Sequence, residues 1–261
     1  MAQIMIHPTA IIGAQASLGE NVSVGPYAII EDDVFIDSGT HVGAHAYIDR
    51  YTRIGKNCLI SPFAAIGTPP QDKRYKGEKT EVIIGDDNVI REYVTIHRGT
   101  PEGPGKTRIG NQNLLMAYCH VAHDCQIGNG VVMANVATLG GHVIVEDYVN
   151  IGGLAAVQQF GRVGAFAFIG GKSAVVQDIP PYVIASGDRA KLFGLNIVGL
   201  KRHHFPEELI AALKKTYQIV IRSHLTIKEA MARVEKDVPG SPEVTHFLEF
   251  INTSQRGVPR R

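Results

Sequence analysis

Histidine is concentrated in the middle of the chain, at positions 97, 120, 123 and 142, and His123 is followed directly by Asp124. An imidazole beside a carboxylate is a general base with a partner. The carboxylate favours the imidazolium that forms on proton uptake, and it can fix the tautomer and the orientation of the ring. Such a base can deprotonate an acceptor hydroxyl, which then attacks an activated acyl group directly. A covalent route would need a nucleophile, and near His123 only Tyr118 offers one, weakly. The competing chemistry is metal binding. Three histidines from neighbouring segments or subunits could hold Zn²⁺ with an open position, although His120 and His123 are not spaced to converge within one chain.

The elements that must hold these residues are announced by a six-residue beat. An aliphatic residue recurs from Ile6 through Ile12, Leu18 and Val24 to Ile66, returns at Ile84, Ile90 and Ile96, and runs unbroken from Ile109 to Val175. Four places after each sits a small or β-branched residue, such as Ala10, Ala16, Val22, Ala28, Val34 and Thr40. A helix of period 3.6 cannot sustain a strict period of six, so the pattern reads as coiled β-structure, a repeat architecture. The beat is lost over about 68–83 and 98–108, stretches rich in Pro, Gly and charge that read as excursion loops. Cys58, Cys119 and Cys125 all fall on the small inward position, which makes them core filler rather than nucleophiles or disulfide partners.

After Pro180–Pro181 the beat stops, and from Leu192 onward the chain reads as helices. A first segment spans Phe193 to about Lys201. A second begins at Phe205-Pro206-Glu207-Glu208, with Pro at the first helical position, and runs to about Arg222. Thr226, with Glu229 as a capping box, and Ser241-Pro242 mark two more starts. The expected division is therefore a β-coil over 1–190 and a helical cap over 191–261. Lys plus Arg total 26 and Asp plus Glu 25, a net charge of +1, which argues against a nucleic-acid binder or a polybasic membrane anchor. No apolar run of membrane-spanning length and no signal-peptide layout are present, so the expectation is a soluble cytoplasmic protein without stable membrane insertion.

The hexads resemble those of the hexapeptide-repeat proteins, and that resemblance implies a left-handed parallel β-helix in which three hexads make one coil. Residues 18 apart then stand in columns: Gly141 and Gln159 above His123, and His142 above Asp124. One outer corner would present all five within about two coil heights, near 10 Å. Gly141 offers an N–H with no side chain to obstruct an approaching carbonyl, which suits an oxyanion donor. A hydratase built around a metal has no need of Gly141 or Gln159.

Several stretches go further: IHRGT (96–100), NLLMAYCHVAHDCQIGN (113–129), LGGHV (139–143), VQQF (157–160), QDIPPYVIASGDRA (177–190) and GLNIVGLKR (194–202). Over essentially the whole chain the sequence resembles the UDP-N-acetylglucosamine O-acyltransferases that begin lipid A synthesis. The resemblance implies transfer of a 3-hydroxyacyl group from acyl carrier protein to the 3-hydroxyl of UDP-N-acetylglucosamine by a C₃ homotrimer, with no cofactor and no metal. It implies His123 as base, Asp124 as its orienting partner and Gly141 as oxyanion donor. His120, His142 and Gln159 would line the sugar and acyl cleft. Asp72 and Arg74 in the first loop, and Asn196 and Arg202 in the cap, would bind substrate. Gly171 would set acyl length, with Phe168 at a corner able to intrude on the same groove. Alternatives on the same helix are acyltransferases with a 3-amino-sugar acceptor or a coenzyme A donor, and metal-dependent hydratases of the carbonic anhydrase type.

Overall fold

A computed structural model describes residues 5–260. Each hexad supplies a short strand, usually of two residues, whose second residue turns inward. Ile30, Ile36, Ile48, Ile60, Ile66, Ile90 and Ile96 are all at most 1 % exposed, and each such burial stabilises the coil by roughly 1.5–3 kcal/mol. The small residues four places on, such as Val22, Ala28, Val34 and Thr40, fill the space that remains. Every third strand stacks in parallel, which gives three flat faces. The first runs from Met5–Ile6 upward, the second from Ile11–Ile12 to Ala174–Val175, and the third from Ser17–Leu18 to Arg162–Val163. The chain is a left-handed parallel β-helix.

Ladder partners lie eighteen residues apart, as in Ile6 with Val24 and Gln126 with Ile144. Across the excursions the offset grows: Val82 pairs with Thr52, and Thr95 with His120. The first excursion lies between strands Ala65–Thr68 and Glu81–Ile84, and is therefore shorter than expected. Val82 and Ile84 already point into the core there. The second lies between Thr95–His97 and Lys106–Ile109. Arg98 ties the two together, donating from Nε to Tyr75 Oη and from Nη1 to the Gly67 carbonyl. Corners turn on residues in the left-handed region, including Asp124 and His142, each at φ 61°. A non-glycine residue there is strained by roughly 1 kcal/mol or more, and the ladders above and below hold it in place.

The upper end corrects one expectation. Leu192 does not open a helix: Lys191–Leu195 is a strand, paired antiparallel with Val183–Ser186. Leu192 and Leu195 are both buried although three residues apart, because the ladder shifts register and skips exposed Phe193, and the pairing covers the backbone edge of the last coil. Helix α1 (Ile197–Arg202) follows, then α2 (Glu207–Tyr217), which continues as a π-turn over Gln218–Arg222. Pro206 stands just before α2 rather than inside it. Helices α3 (Ile227–Asp237) and α4 (Pro242–Asn252) start where expected, on the Thr226–Glu229 capping box and on Ser241. Helix α4 clasps the coil: His246 Nε2 lies 2.9 Å from Glu146 Oε2, its Nδ1 lies 2.9 Å from Tyr182 Oη, and Arg162 sits 4.3 Å over the Phe250 ring. Among the described residues no helix is long and apolar enough to cross a membrane.

Candidate active site

Strand His120–Val121 ends at the corner between the second and third faces, and His123 and Asp124 form that corner. His123 Nδ1 lies 2.9 Å from Asp124 Oδ2. A carboxylate only accepts, so Nδ1 carries the proton and Nε2 is left as the basic nitrogen. Asp124 is not presented to solvent as the column rule suggested. Its side chain is fully buried, because the second excursion folds over it. The Thr100 hydroxyl donates to Oδ2 at 2.6 Å, and the Thr100 N–H reaches both carboxylate oxygens at 3.0 and 3.1 Å. Burial pushes the Asp124 carboxyl upward, but the hydrogen bonds from His123 and Thr100 outweigh it, so the group stays below its ordinary value and remains ionised.

The columns hold. A Cβ on Gly141 would sit 2.7 Å from His123 Cε1 and Nε2, so the glycine lies directly against the basic nitrogen. The Gly141 N–H makes no hydrogen bond among the described residues, and is free to donate. His142 stands over Asp124, its Nε2 3.7 Å from Oδ2, with its ring edge-on to His123 at 5.1 Å. Phe160 stacks on the other side of His142 at 4.5 Å. Burial lowers the His142 pKa, partly countered by Asp124. Gln159 is exposed one coil above Gly141.

His120 is pushed down to about 4 by burial, so it acts as a neutral group; its Nδ1 lies 2.7 Å from Thr95 Oγ1. His97, also lowered by burial, holds the start of the first excursion through a 2.6 Å contact between Nδ1 and the Pro69 carbonyl. In that excursion Asp72 and Arg74 form a two-pronged pair, Nη2 to Oδ2 at 2.7 Å and Nε to Oδ1 at 3.1 Å. The side-chain and backbone donors of Arg74 hold the Asp72 carboxyl well below the carboxylate range. Both residues lie within electrostatic range of His142.

The cap residues lie elsewhere. A cavity of about 530 Å³ opens between α1 and the first face, lined by Asn196, Val198, Arg202 and His203 with Phe168 and Asn150. Asn196 caps α1: its Oδ1 accepts from the Gly199 N–H, and its Nδ2 donates to the Phe166 carbonyl. Phe168 is not at a corner. It projects from strand Phe168–Ile169 on the first face into this cavity, while Gly171 turns the corner between the first and second faces. A Cβ on Gly171 would meet only Gly153 backbone atoms within 4 Å. One chain thus brings His123, Asp124, Gly141, His142 and Gln159 to one corner, and leaves Asn196, Arg202 and Phe168 on another face.

His123, Asp124 and His142 offer ligand atoms within 4.8 Å of one another, a spacing that a metal ion could bridge. Asp124 Oδ2, however, already accepts from His123 and twice from Thr100, so a metal would have to displace these donors. The sequence reading missed Thr100 and Phe160. Phe160 was legible, since it stands 18 residues after His142; Thr100 lies in an excursion, where no column rule applies.

Family models match at two places: "Bacterial transferase hexapeptide (six repeats)" over residues 106–141, and "Udp N-acetylglucosamine O-acyltransferase; Domain 2" over residues 178–259. The acyl-[acyl-carrier-protein]–UDP-N-acetylglucosamine O-acyltransferase of Thermodesulfovibrio yellowstonii is 56% identical over 255 residues, covering 98% of this chain and 99% of the relative. That of Syntrophobacter fumaroxidans is 52% identical over 258 residues, covering 98% and 100%. Among solved structures, LpxA of Acinetobacter baumannii superposes with a TM-score of 0.95 at 39% identity, covering 98% of this chain and all of that one. LpxA of Bacteroides fragilis superposes with a TM-score of 0.95 at 42% identity, covering 97% and 99%. With 52–56% identity to these relatives over 98% of its length, the chain belongs to the acyl-[acyl-carrier-protein]–UDP-N-acetylglucosamine O-acyltransferase family.

Proposed function

We propose that this protein is the O-acyltransferase that opens lipid A biosynthesis, moving a 3-hydroxyacyl group from acyl carrier protein to the 3-hydroxyl of UDP-N-acetylglucosamine by direct attack, with no acyl-enzyme. The observation that carries the mechanism is the basic nitrogen of His123 lying against Gly141, with the other nitrogen tied to a buried carboxylate. The sugar hydroxyl gives its proton to His123 Nε2 as its oxygen attacks the thioester carbonyl. The Gly141 N–H donates to the oxyanion that forms. The tetrahedral intermediate then collapses, the C–S bond breaks, and the departing thiolate takes the proton from His123. Asp124 holds the imidazole in the working tautomer and stays ionised throughout. Buried Cys119 and Cys125, whose thiols burial raises to about 11 and about 12, take no part.

His120, His142 and Gln159 are assigned to the sugar and acyl cleft, and Asp72, Arg74, Asn196 and Arg202 to substrate binding. The working unit is a homotrimer in the cytoplasm, built from a coil region over 1–190 and a cap region over 191–261. The separation of the His123 corner from the Asn196–Arg202 cavity supports this reading, since a neighbouring chain could bring a cap against the corner. Gly171 is assigned to the acyl-length ruler. Each misplaced methylene is worth about 0.8 kcal/mol, roughly fourfold in rate, so Gly171→Met is expected to shift preference toward shorter chains over a ladder of lengths. Phe168, which faces the cap-side cavity, is the second residue to vary.

The deciding assay incubates purified protein with UDP-N-acetylglucosamine, or its 3-amino analogue, and a panel of 3-hydroxyacyl carrier proteins or acyl-coenzyme A, with products weighed by mass spectrometry. An ester formed from the carrier-protein donor is expected. Amide product alone, or transfer only from coenzyme A, would replace the reading, and abolition of activity by a chelator would favour a metal at His123, Asp124 and His142.

A further inference from the structure

The base is only as well placed as the carboxylate that holds it, and that carboxylate is gripped from outside the coil. The excursion between Thr95–His97 and Lys106–Ile109 inserts seven residues beyond the regular offset, since Thr95 pairs with His120 rather than with a residue 18 places on. Those residues close over Asp124. A Cβ on Gly99 would sit 2.7 Å from Asp124 Oδ1, and one on Gly103 would sit 2.6 Å from its Cγ, so both positions admit the carboxylate only because they lack side chains. Thr100, itself 1 % exposed, supplies the donors: its hydroxyl at 2.6 Å to Oδ2 and its N–H at 3.0 Å to the same oxygen. On the returning strand Thr107 Oγ1 accepts from the Asp124 N–H at 2.8 Å and fixes the backbone of the corner. Thr100 on one side and His123 on the other hold the carboxylate between them, and it is to this held carboxylate that Nδ1 of His123 is bonded.

We propose that the second excursion is a clamp on Asp124 and that Thr100 is its positioning residue, acting through Asp124 to aim Nε2 of His123 at the acceptor hydroxyl. This rests on the reading of His123 as the base. Thr100 touches no reacting atom, so its loss should leave substrate binding intact and lower the chemical step.

The test compares Thr100→Val, which keeps the shape and removes the hydroxyl donor, with Thr100→Ser, which restores it, in the full-length protein. Thr100→Val is expected to lower kcat roughly ten- to a hundredfold, the scale of a misaimed catalytic group, with KM for both substrates within about twofold of wild type. Thr100→Ser should recover most of kcat. Proton NMR supplies a readout that a merely structural role would not move. The Nδ1–H of His123, deshielded by its bond to Asp124 and kept from exchange by burial of that carboxylate, should give a low-field resonance in wild type and Thr100→Ser, absent in His123→Ala and lost or broadened in Thr100→Val. If Thr100→Val does not fold, Thr100→Ala, which keeps the N–H contacts, is read by the same criteria. Wild-type kcat and an unchanged resonance in the valine or alanine variant would overturn the clamp, and so would a serine variant as impaired as the valine. If His123→Ala kept wild-type turnover, the base reading would fall, and with it the catalytic role of Thr100.

Discussion

At the scale of single residues, the proposed mechanism gives each polar group one task fixed by its neighbours. His123→Ala removes the basic nitrogen and should lower kcat by about 10²–10⁴-fold, the range for loss of general base catalysis, with the melting temperature little changed. Asp124→Ala should be the milder of the two in steady-state assays, since the imidazole remains. Gly141→Ala makes a sharper demand. Its methyl would stand 2.7 Å from the His123 ring, so the ring must move. Loss of turnover by at least about a hundredfold is expected, together with a displaced His123 ring in a crystal structure of the variant. Full activity there would show that Nε2 is not held against Gly141 during the reaction.

At the scale of elements, the cap is bound to the coil by a clasp that titrates. His246 on α4 faces Glu146 and Tyr182 directly, with Arg162 and Glu249 nearby. The hydrogen bond and charge of Glu146 raise its pKa above the ordinary value, against burial and Arg162, which lower it. A group whose folded pKa is raised adds stability that is fully present below its unfolded value, near 6.5, and is lost as pH rises through the folded value. His246→Leu should therefore lower the melting temperature more at about pH 5.5 than at about pH 8.5, as read by calorimetry on both proteins. An equal loss at both pH values would mean that the clasp holds by packing alone.

At the scale of the molecule, the two halves of the proposed site face different ways on one chain. The His123 corner lies between the second and third faces, and the cavity of Asn196 and Arg202 lies over the first. A C₃ assembly offers each corner a neighbour's surface. Light scattering at micromolar concentration should give about three times the chain mass. Mixing His123→Ala with Arg202→Ala chains should recover part of the activity that each lacks, if a cleft takes its base from one chain and its cap from the next. A fully active monomer would end the trimer reading.

The hexad beat by itself determined the coil, because a strict period of six with an inward aliphatic and a small partner suits that β-coil and no α-helix. With the eighteen-residue coil that the repeat resemblance supplied, it also fixed the columns, so Gly141 against His123 and His142 over Asp124 were legible before any coordinate. The capping signals at Thr226 and Ser241 were legible because capping is local chemistry. The strand Lys191–Leu195 was not, since its Leu192 and Leu195 are read as inward only once Val183–Ser186 lies beside them. Phe168, directly before the inward Ile169, is a strand residue by the beat itself and not a corner residue; only the tertiary structure decides the cavity it enters, which exists because α1 folds back over the first face. Thr100 was invisible for the same reason. An excursion leaves the periodic register, and where it lands is decided by what it can close over, here the buried carboxylate of Asp124.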